Sequence, residues 1–187
     1  MIQVSTPTLS PRRRVAMTWV VWITAVIAYG FAVMQRTSLG VMGLTAAAHF
    51  NAPASVVATF MVLQLAIYAV LQIPAGITVD RLGSRVVITA GSTVMAIGQV
   101  VMALAGSVGG AVLARLLVGC GDAFIFGAAI RLVPAWFPPK QTPLVTQLTG
   151  LLGQFGQVVS AVGLVAMVNS NGWRSTYLLA AGGAAVA

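Results

Sequence analysis

The chain of 187 residues is 59% hydrophobic and 6% charged, with a mean hydropathy of +0.98. Soluble domains carry about a quarter charged residues, so this composition reads as an integral membrane protein. A formal charge of +8 arises from ten basic residues against two acids; the basic residues sit at the ends of apolar segments instead of clustering on a soluble face, which excludes a nucleic-acid surface and makes the charge orientation information. One His, one Cys and two Asp leave no metal-ligand set, no internal disulfide and no carboxylate pair in a soluble site, so no cofactor, metal or enzyme chemistry is expected.

Residues 1–14 are polar and end in Arg12-Arg13-Arg14, and read as a disordered tail with a positive flank. The first apolar segment, about 15–48, exceeds the roughly 20 residues that cross a bilayer. It is a first span and not a signal peptide, because further spans follow. Its length leaves Arg36 either at a rim, reaching for headgroups, or well inside. An Arg inside is compensated by some anion, and its fork binds carboxylate or phosphate bidentately, so Arg36 is a candidate for gripping an anionic substrate. Tyr29, seven residues earlier on the same face, could add a hydroxyl.

Asn51-Ala52-Pro53 breaks the chain before a second span, about 54–79. Gln64, Tyr68 and Gln72 recur there at four-residue spacing and share one face. Amides left unbonded in hydrocarbon are costly, so this stripe faces either a packed helix or a watery cavity. Pro74 loosens the inner end. The ten residues Gly76 to Arg85 then form a charged hinge in which Asp80, one of the two acids, stands beside Arg81 and Arg85 as an electrostatic latch.

The third span is about 85–105 and the fourth about 111–137, joined by the uncharged turn Gly106–Gly110. The fourth carries Arg115, Asp122 and Arg131. Arg115 and Asp122 are seven residues apart and share a face, so they can neutralise each other through water or another helix. Asp122 is the one carboxylate within a span and so the one acidic proton carrier. The fifth span, about 143–168, has Gly150, Gly153, Gly156 and Gly163 along it, spacings that let helices approach closely. After a turn at Asn169–Gly172, a sixth opens at Trp173-Arg174 and runs to Ala187, about 22 Å of helix and short of the roughly 30 Å hydrocarbon core. It reads as a truncated last helix.

Arg12–Arg14, Arg81 with Arg85, and Lys140 fall on one side, while the alternate connections hold His49, no charge, and Arg174. By the positive-inside rule the amino terminus is cytoplasmic, in a plasma or cell inner membrane, with His49 an idle outer-loop residue. Gly83-Ser-Arg85 and Gly172-Trp-Arg174, each entering a span, echo each other as inverted repeats would.

The hinge resembles the signature of the major facilitator superfamily, G-x-L-x-D-R-x-G-R-[RK]. Gly76, Asp80, Arg81 and Gly83 match in register, with departures at Ile77-Thr78 and at Ser84 before Arg85. Arg115-Leu-Leu-Val-Gly119-Cys-Gly121 is similar to that family's fourth-helix motif, and Trp136-Phe-Pro-Pro and Gly172-Trp-Arg174 are similar to bacterial members. The fifth span lacks the Gly-Pro pair of drug:proton antiporters. Tyr29 through Arg36-Thr-Ser-Leu-Gly40, with Tyr68-x-x-x-Gln72-Ile-Pro-Ala-Gly76, instead looks like branches that take up organic anions, in which a first-helix Arg faces the substrate.

The resemblance implies an all-α membrane protein of six transmembrane helices, arranged as two inverted three-helix repeats and forming half of a twelve-helix fold. It implies secondary transport of small metabolites, organic anions among them, by alternating access, with symport as the expected mode. The partners are a small-molecule substrate, a coupling ion of unknown identity, the lipid bilayer and a missing carboxy-terminal half. Arg36, Tyr29, Gln64, Tyr68 and Gln72 are then substrate-binding, and Gly76, Asp80, Arg81, Gly83, Arg85, Arg115 and Asp122 act in gating or coupling. Asp80 latches one half to a helix of the other, and the Arg115 position is implicated in proton coupling. The alternative is a non-transporting membrane fragment, or an interaction partner of a separately encoded half.

Overall fold

The computed structural model describes residues 11–186, all but a few in helix. The expected tail at residues 1–10 lies outside the described residues. Residues 11–14 instead form the first turn of α1 (Pro11–Val41), where Pro is tolerated because its missing N–H has no intrahelical partner anyway. The expected run to Ala48 is two helices, with Met42 leaving helical geometry before α2 (Gly43–His49). The remaining helices are α3 (Ala54–Leu82), α4 (Ser84–Leu104), α5 (Val108–Trp136), α6 (Thr142–Val159) and α7 (Val165–Val186), with a π-helical turn at Ser160–Leu164 between the last two.

Five continuous tracts are long and apolar enough to cross a membrane, and the last, Thr142–Ala185, is 44 residues long. At 1.5 Å per residue that is about 66 Å, twice the hydrocarbon thickness. The tract reverses at Gly172, whose φ of 78° and ψ of 173° break the helix. Before it, Gly153 and Gly156 advance along α1 past Tyr29 and Gly30; after it, Tyr177 shares the Arg115 centre with Ser38 of α1, and Gly183 reaches back to Phe31. The expected sixth crossing therefore begins at Trp173, and the turn expected over Asn169–Gly172 contracts to one residue.

Gly83 does the same work between α3 and α4, with φ 80° and ψ 156°. Both glycines occupy a backbone region that residues with a Cβ enter only under strain. The sequence echo between Gly83-Ser-Arg85 and Gly172-Trp-Arg174 is thus an echo of backbone shape, in support of inverted repeats. It also corrects the ten-residue hinge. Gly76 through Leu82 is the last part of α3, Ser84 starts α4, and a single glycine turns the chain.

α5 is the central helix, 56% of its apolar window being buried against 17% for α3. It starts three residues earlier than expected because Ser107 caps it, Oγ accepting from the Gly110 N–H at 3.3 Å. Close approach follows from small residues. A Cβ on Gly121 would lie 2.5 Å from the Gly91 carbonyl of α4, and one on Gly156 would run into the Gly30 carbonyl of α1. Neighbouring helices alternate in direction, so the starts of α1 and α6, the α3–α4 turn and Lys140 gather at one end, and His49, Ala105 and Gly172 at the other.

Replacing Gly172 with Ala should cost about 1–3 kcal/mol because a Cβ must be forced into that backbone region. Gly127→Ala, inside α5 with open space around it, should be neutral or slightly stabilising. Unfolding midpoints in a denaturing-detergent titration would compare the two, and equal midpoints would contradict the assignment of strain.

Candidate functional site

α1, α3, α5 and α6 enclose an opening of about 450 Å³ whose walls include Tyr29, Arg36, Tyr68, Phe126, Gln147 and Gln154. At its floor Arg36 Nη1 donates to Asp122 Oδ2 at 3.1 Å, with the Asp122 side chain fully buried and Arg36 18% exposed toward the opening. The guanidinium lies 5.6 Å from the centre of the Tyr68 ring, within cation–π range. Gln64 Nε2 donates to the Arg36 carbonyl at 3.2 Å, fixing the backbone from which the cation projects. Asp122 Oδ1 is buried without a hydrogen-bond partner.

Arg36 is therefore inside the bundle and not at a rim. The stripe expected on α3 divides. Tyr68 lines the opening, Gln64 braces α1, and Gln72 stands outside the lining with its Nε2 unpartnered. Both readings of the stripe hold, each for a different residue. Gln147 and Gln154 of α6 and Phe126 of α5 were missed. The two glutamines are seven residues apart in an apolar span, so the reasoning that singled out the α3 stripe also reaches them.

The expected neutralisation between Arg115 and Asp122 is not what the structure holds. Seven residues of helix separate them by about 10.5 Å along the axis, which a shared face does not bridge. Asp122 takes Arg36 instead. Arg115, fully buried, donates to the Gln35 carbonyl at 3.4 Å, to Ser38 Oγ at 3.2 Å and to the Tyr177 hydroxyl at 3.2 Å. Its charge is met by three neutral oxygens from α1 and α7, and its Nε is left over.

Asp80 also has a different partner. It pairs with Arg131 of α5, not with Arg81 or Arg85, which stand exposed. Gly76 leaves room for that contact, since a Cβ there would meet Arg131 Nη2 at 3.3 Å. His49 is not idle. Its ring stacks on Trp173 at 4.5 Å between centroids and 11° between planes, and its Nε2 lies 3.3 Å from the Ala105 carbonyl, joining three connections at one end of the bundle.

The chain is a bundle of apolar spans around a central polar opening, with glycine reversals at related points of the sequence. Residues 20–187 match the Major Facilitator Superfamily, and the chain belongs to that family. It is 24% identical over 157 residues to the "Probable L-galactonate transporter" of Escherichia coli K12, covering 84% of this chain and 34% of that protein. Over 112 residues it is 25% identical to the "Probable sulfoacetate transporter SauU" of Cupriavidus necator, covering 60% of this chain and 26% of that protein. The "Hexuronate transporter" of E. coli K12 is 24% identical over 114 residues, 61% of this chain and 26% of that protein. The chain thus spans about a third or less of the length of these curated relatives.

Tyr177→Phe removes one of three acceptors from a buried cation and should lower stability by about 1–3 kcal/mol. Tyr68→Phe, whose ring faces the opening, should leave stability within about 0.5 kcal/mol. Thermal unfolding of the two variants in the same detergent measures the difference, and a stable Tyr177→Phe would show that Arg115 is not held by this cage.

Proposed function

We propose that the chain forms one half of a secondary transporter for small organic anions, and that an incoming carboxylate, sulfonate or phosphate replaces Asp122 on Arg36. The observation that carries this reading is the Arg36–Asp122 pair itself: the cation is reachable from the opening while its partner is sealed behind it. A guanidinium offers two parallel donors to such groups, and Asp122 uses one nitrogen at hydrogen-bond distance. The rest of the lining is neutral, with phenols and amides that suit hydroxyl groups and one aromatic face. The relatives named for L-galactonate, hexuronate and sulfoacetate are named for molecules that are anions at neutral pH.

A carboxylate that loses its cation inside a membrane is left uncompensated, a state costly enough to be resolved by taking up a proton. Substrate and proton would then enter together as symport, the anion on Arg36 and the proton on Asp122. Both leave when the pair re-forms. A second six-helix half completes the cavity, and the two halves rock about the site near the midplane. The end bearing Arg81, Arg85 and Lys140 faces the cytoplasm of the cell in which the protein sits in the plasma membrane, amino terminus inside.

The test is uptake of labelled galactonate, glucuronate and sulfoacetate by the chain joined to a second half, at matched membrane abundance. Arg36→Gln should weaken apparent affinity by about one to two decades, the worth of a charge-assisted bond, and Arg36→Lys by less. Asp122→Asn should keep or improve anion binding, since Arg36 is freed, yet abolish accumulation driven by a proton gradient. Unchanged affinity in Arg36→Gln, or gradient-driven uptake in Asp122→Asn, would overturn the reading.

Orientation is measured separately, with single cysteines in a Cys120→Ser background. Gln141→Cys should be shielded from an impermeant thiol reagent in intact cells, and Ser170→Cys should react. The opposite pattern would reverse the topology.

A further inference from the structure

Two acceptor oxygens are buried without partners on facing helices beside Arg36: Oδ1 of Asp122 on α5 and Oε1 of Gln64 on α3. Both side chains are anchored to the same residue by their other atom. Asp122 accepts from the Arg36 guanidinium through Oδ2, and Gln64 donates to the Arg36 carbonyl through Nε2. That donation also fixes the amide's sense, because a flipped amide would set its oxygen against the Arg36 carbonyl. The side chain of Gln64 crosses α5 at Gly119, where a Cβ would come within 3.1 Å of its Cγ, and Asp122 is one helical turn further along the same face.

Two acceptors cannot satisfy each other, and each unmet oxygen in a dry site costs free energy. A hydrogen on one, donated to the other, would satisfy both once the side chains turn toward each other. We propose that Gln64 is the positioning residue for the coupling proton: when Asp122 is protonated, the hydrogen is on Oδ1 and is donated to Gln64 Oε1. This rests on the symport reading above and adds where the proton is held. The step balances. A proton delivered as hydronium through the cavity binds the carboxylate and leaves water, Asp122 becomes a neutral acid bonded to a neutral amide, and the guanidinium, still charged, pairs with the anion. When the anion leaves, the proton returns to water and the pair re-forms.

Few other groups can interfere. Arg36 of α1 pairs with Asp122, and the titratable side chains lining the same opening are Tyr29 of α1 and Tyr68 of α3. From α4, Gly91 and Met95 meet α5 at Gly121, and neither titrates; the polar lining contributed by α6 is the amides Gln147 and Gln154.

The chain is well suited to a direct test because Asp80 and Asp122 are its only side-chain carboxyls. Infrared difference spectra against pH, recorded on the chain in phosphatidylcholine vesicles, should show a protonated carboxyl band that Asp122→Asn deletes. In Gln64→Met, similar in shape and lacking the acceptor, the protonated form loses its hydrogen bond. The midpoint of that band should then move toward acid by about half to one pH unit. Gln99→Met removes an equally buried amide from α4 and should leave the midpoint in place. A structural role would move both variants alike or neither, and either result overturns the proposal.

Should Gln64→Met fail to insert, the parent chain with carbonyl-labelled glutamine gives the same answer. One glutamine amide band should shift in step with the Asp122 band, and that shift should vanish in Asp122→Asn. Absence of any coupled amide shift overturns the role of Gln64 alone. Absence of a titrating Asp122 band overturns the symport reading and this inference with it.

Discussion

Two guanidiniums and one carboxylate are buried or nearly buried inside this bundle, and the close crossing of its helices goes with which guanidinium the carboxylate meets. Asp122 goes to Arg36, across from α5 to α1. A charged pair withdrawn from water is tolerated only with short, well-directed bonds. α1 and α5 must therefore cross closely, with α3 laid over both. Gly119 admits the α3 backbone, a Cβ there falling 2.5 Å from the Gln64 carbonyl, and Gly121 admits α4 on the other side. The small residues of the fourth-helix motif set the distances at which the ion pair and its amide brace can form.

Arg115 shows the other solution to a buried cation. Without a carboxylate it is wrapped by the Gln35 carbonyl, Ser38 and Tyr177, oxygens that carry no charge and cannot leave. Such a cage ties α1, α5 and α7 together and offers nothing to exchange. The Arg36 pair is the reverse case: its cation is partly open to the cavity, and its partner is a single buried carboxylate. Two arginines of the same interior, Arg36 on α1 and Arg115 on α5, are thus compensated in different ways, one by a carboxylate beside the opening and one by a closed cage of neutral oxygens.

Much of this was legible from the chain. Apolar lengths gave six crossings, the basic residues gave one end of the bundle in common, and Arg36, Tyr29 and Tyr68 were singled out and do meet around one opening. Errors arose where sequence spacing stands in poorly for three-dimensional reach. Arg115 and Asp122 share a face, yet a shared face constrains angle and not axial distance. Asp80 was assigned to its neighbours in sequence, although residues adjacent on a helix point apart and its partner Arg131 comes from another helix. The hinge seemed long because charge was read as loop, whereas the final turns of α3 carry those charges at the helix end. His49 looked solitary because the partners that stack on it and accept from it are distant in sequence.

Each end of the bundle is closed by an aromatic cluster and a Trp hydrogen bond, and an exposed ion pair is added at the basic end. At the basic end Trp19 and Trp22 of α1 pack edge-to-face with Phe137, Trp22 Nε1 donates to Thr149 Oγ1 at 2.9 Å, and the Asp80–Arg131 pair, with side chains 61% and 45% exposed, joins α3 to α5. Exposed ion pairs contribute about 0–1 kcal/mol and trade partners readily. At the other end His49, Phe50, Trp173 and Tyr177 form a continuous aromatic cluster, and Trp173 Nε1 is also bonded to the Met102 carbonyl at 3.2 Å. Tyr177 belongs at once to that cluster and to the Arg115 cage, so this packed end and the cage are one unit. Asp122, the buried partner of Arg36, is on the same helix as Arg131. Aromatic packing thus closes the bundle at both ends, and the ion pairs that involve α5, Asp80–Arg131 and Arg36–Asp122, lie on its α3 and α1 sides.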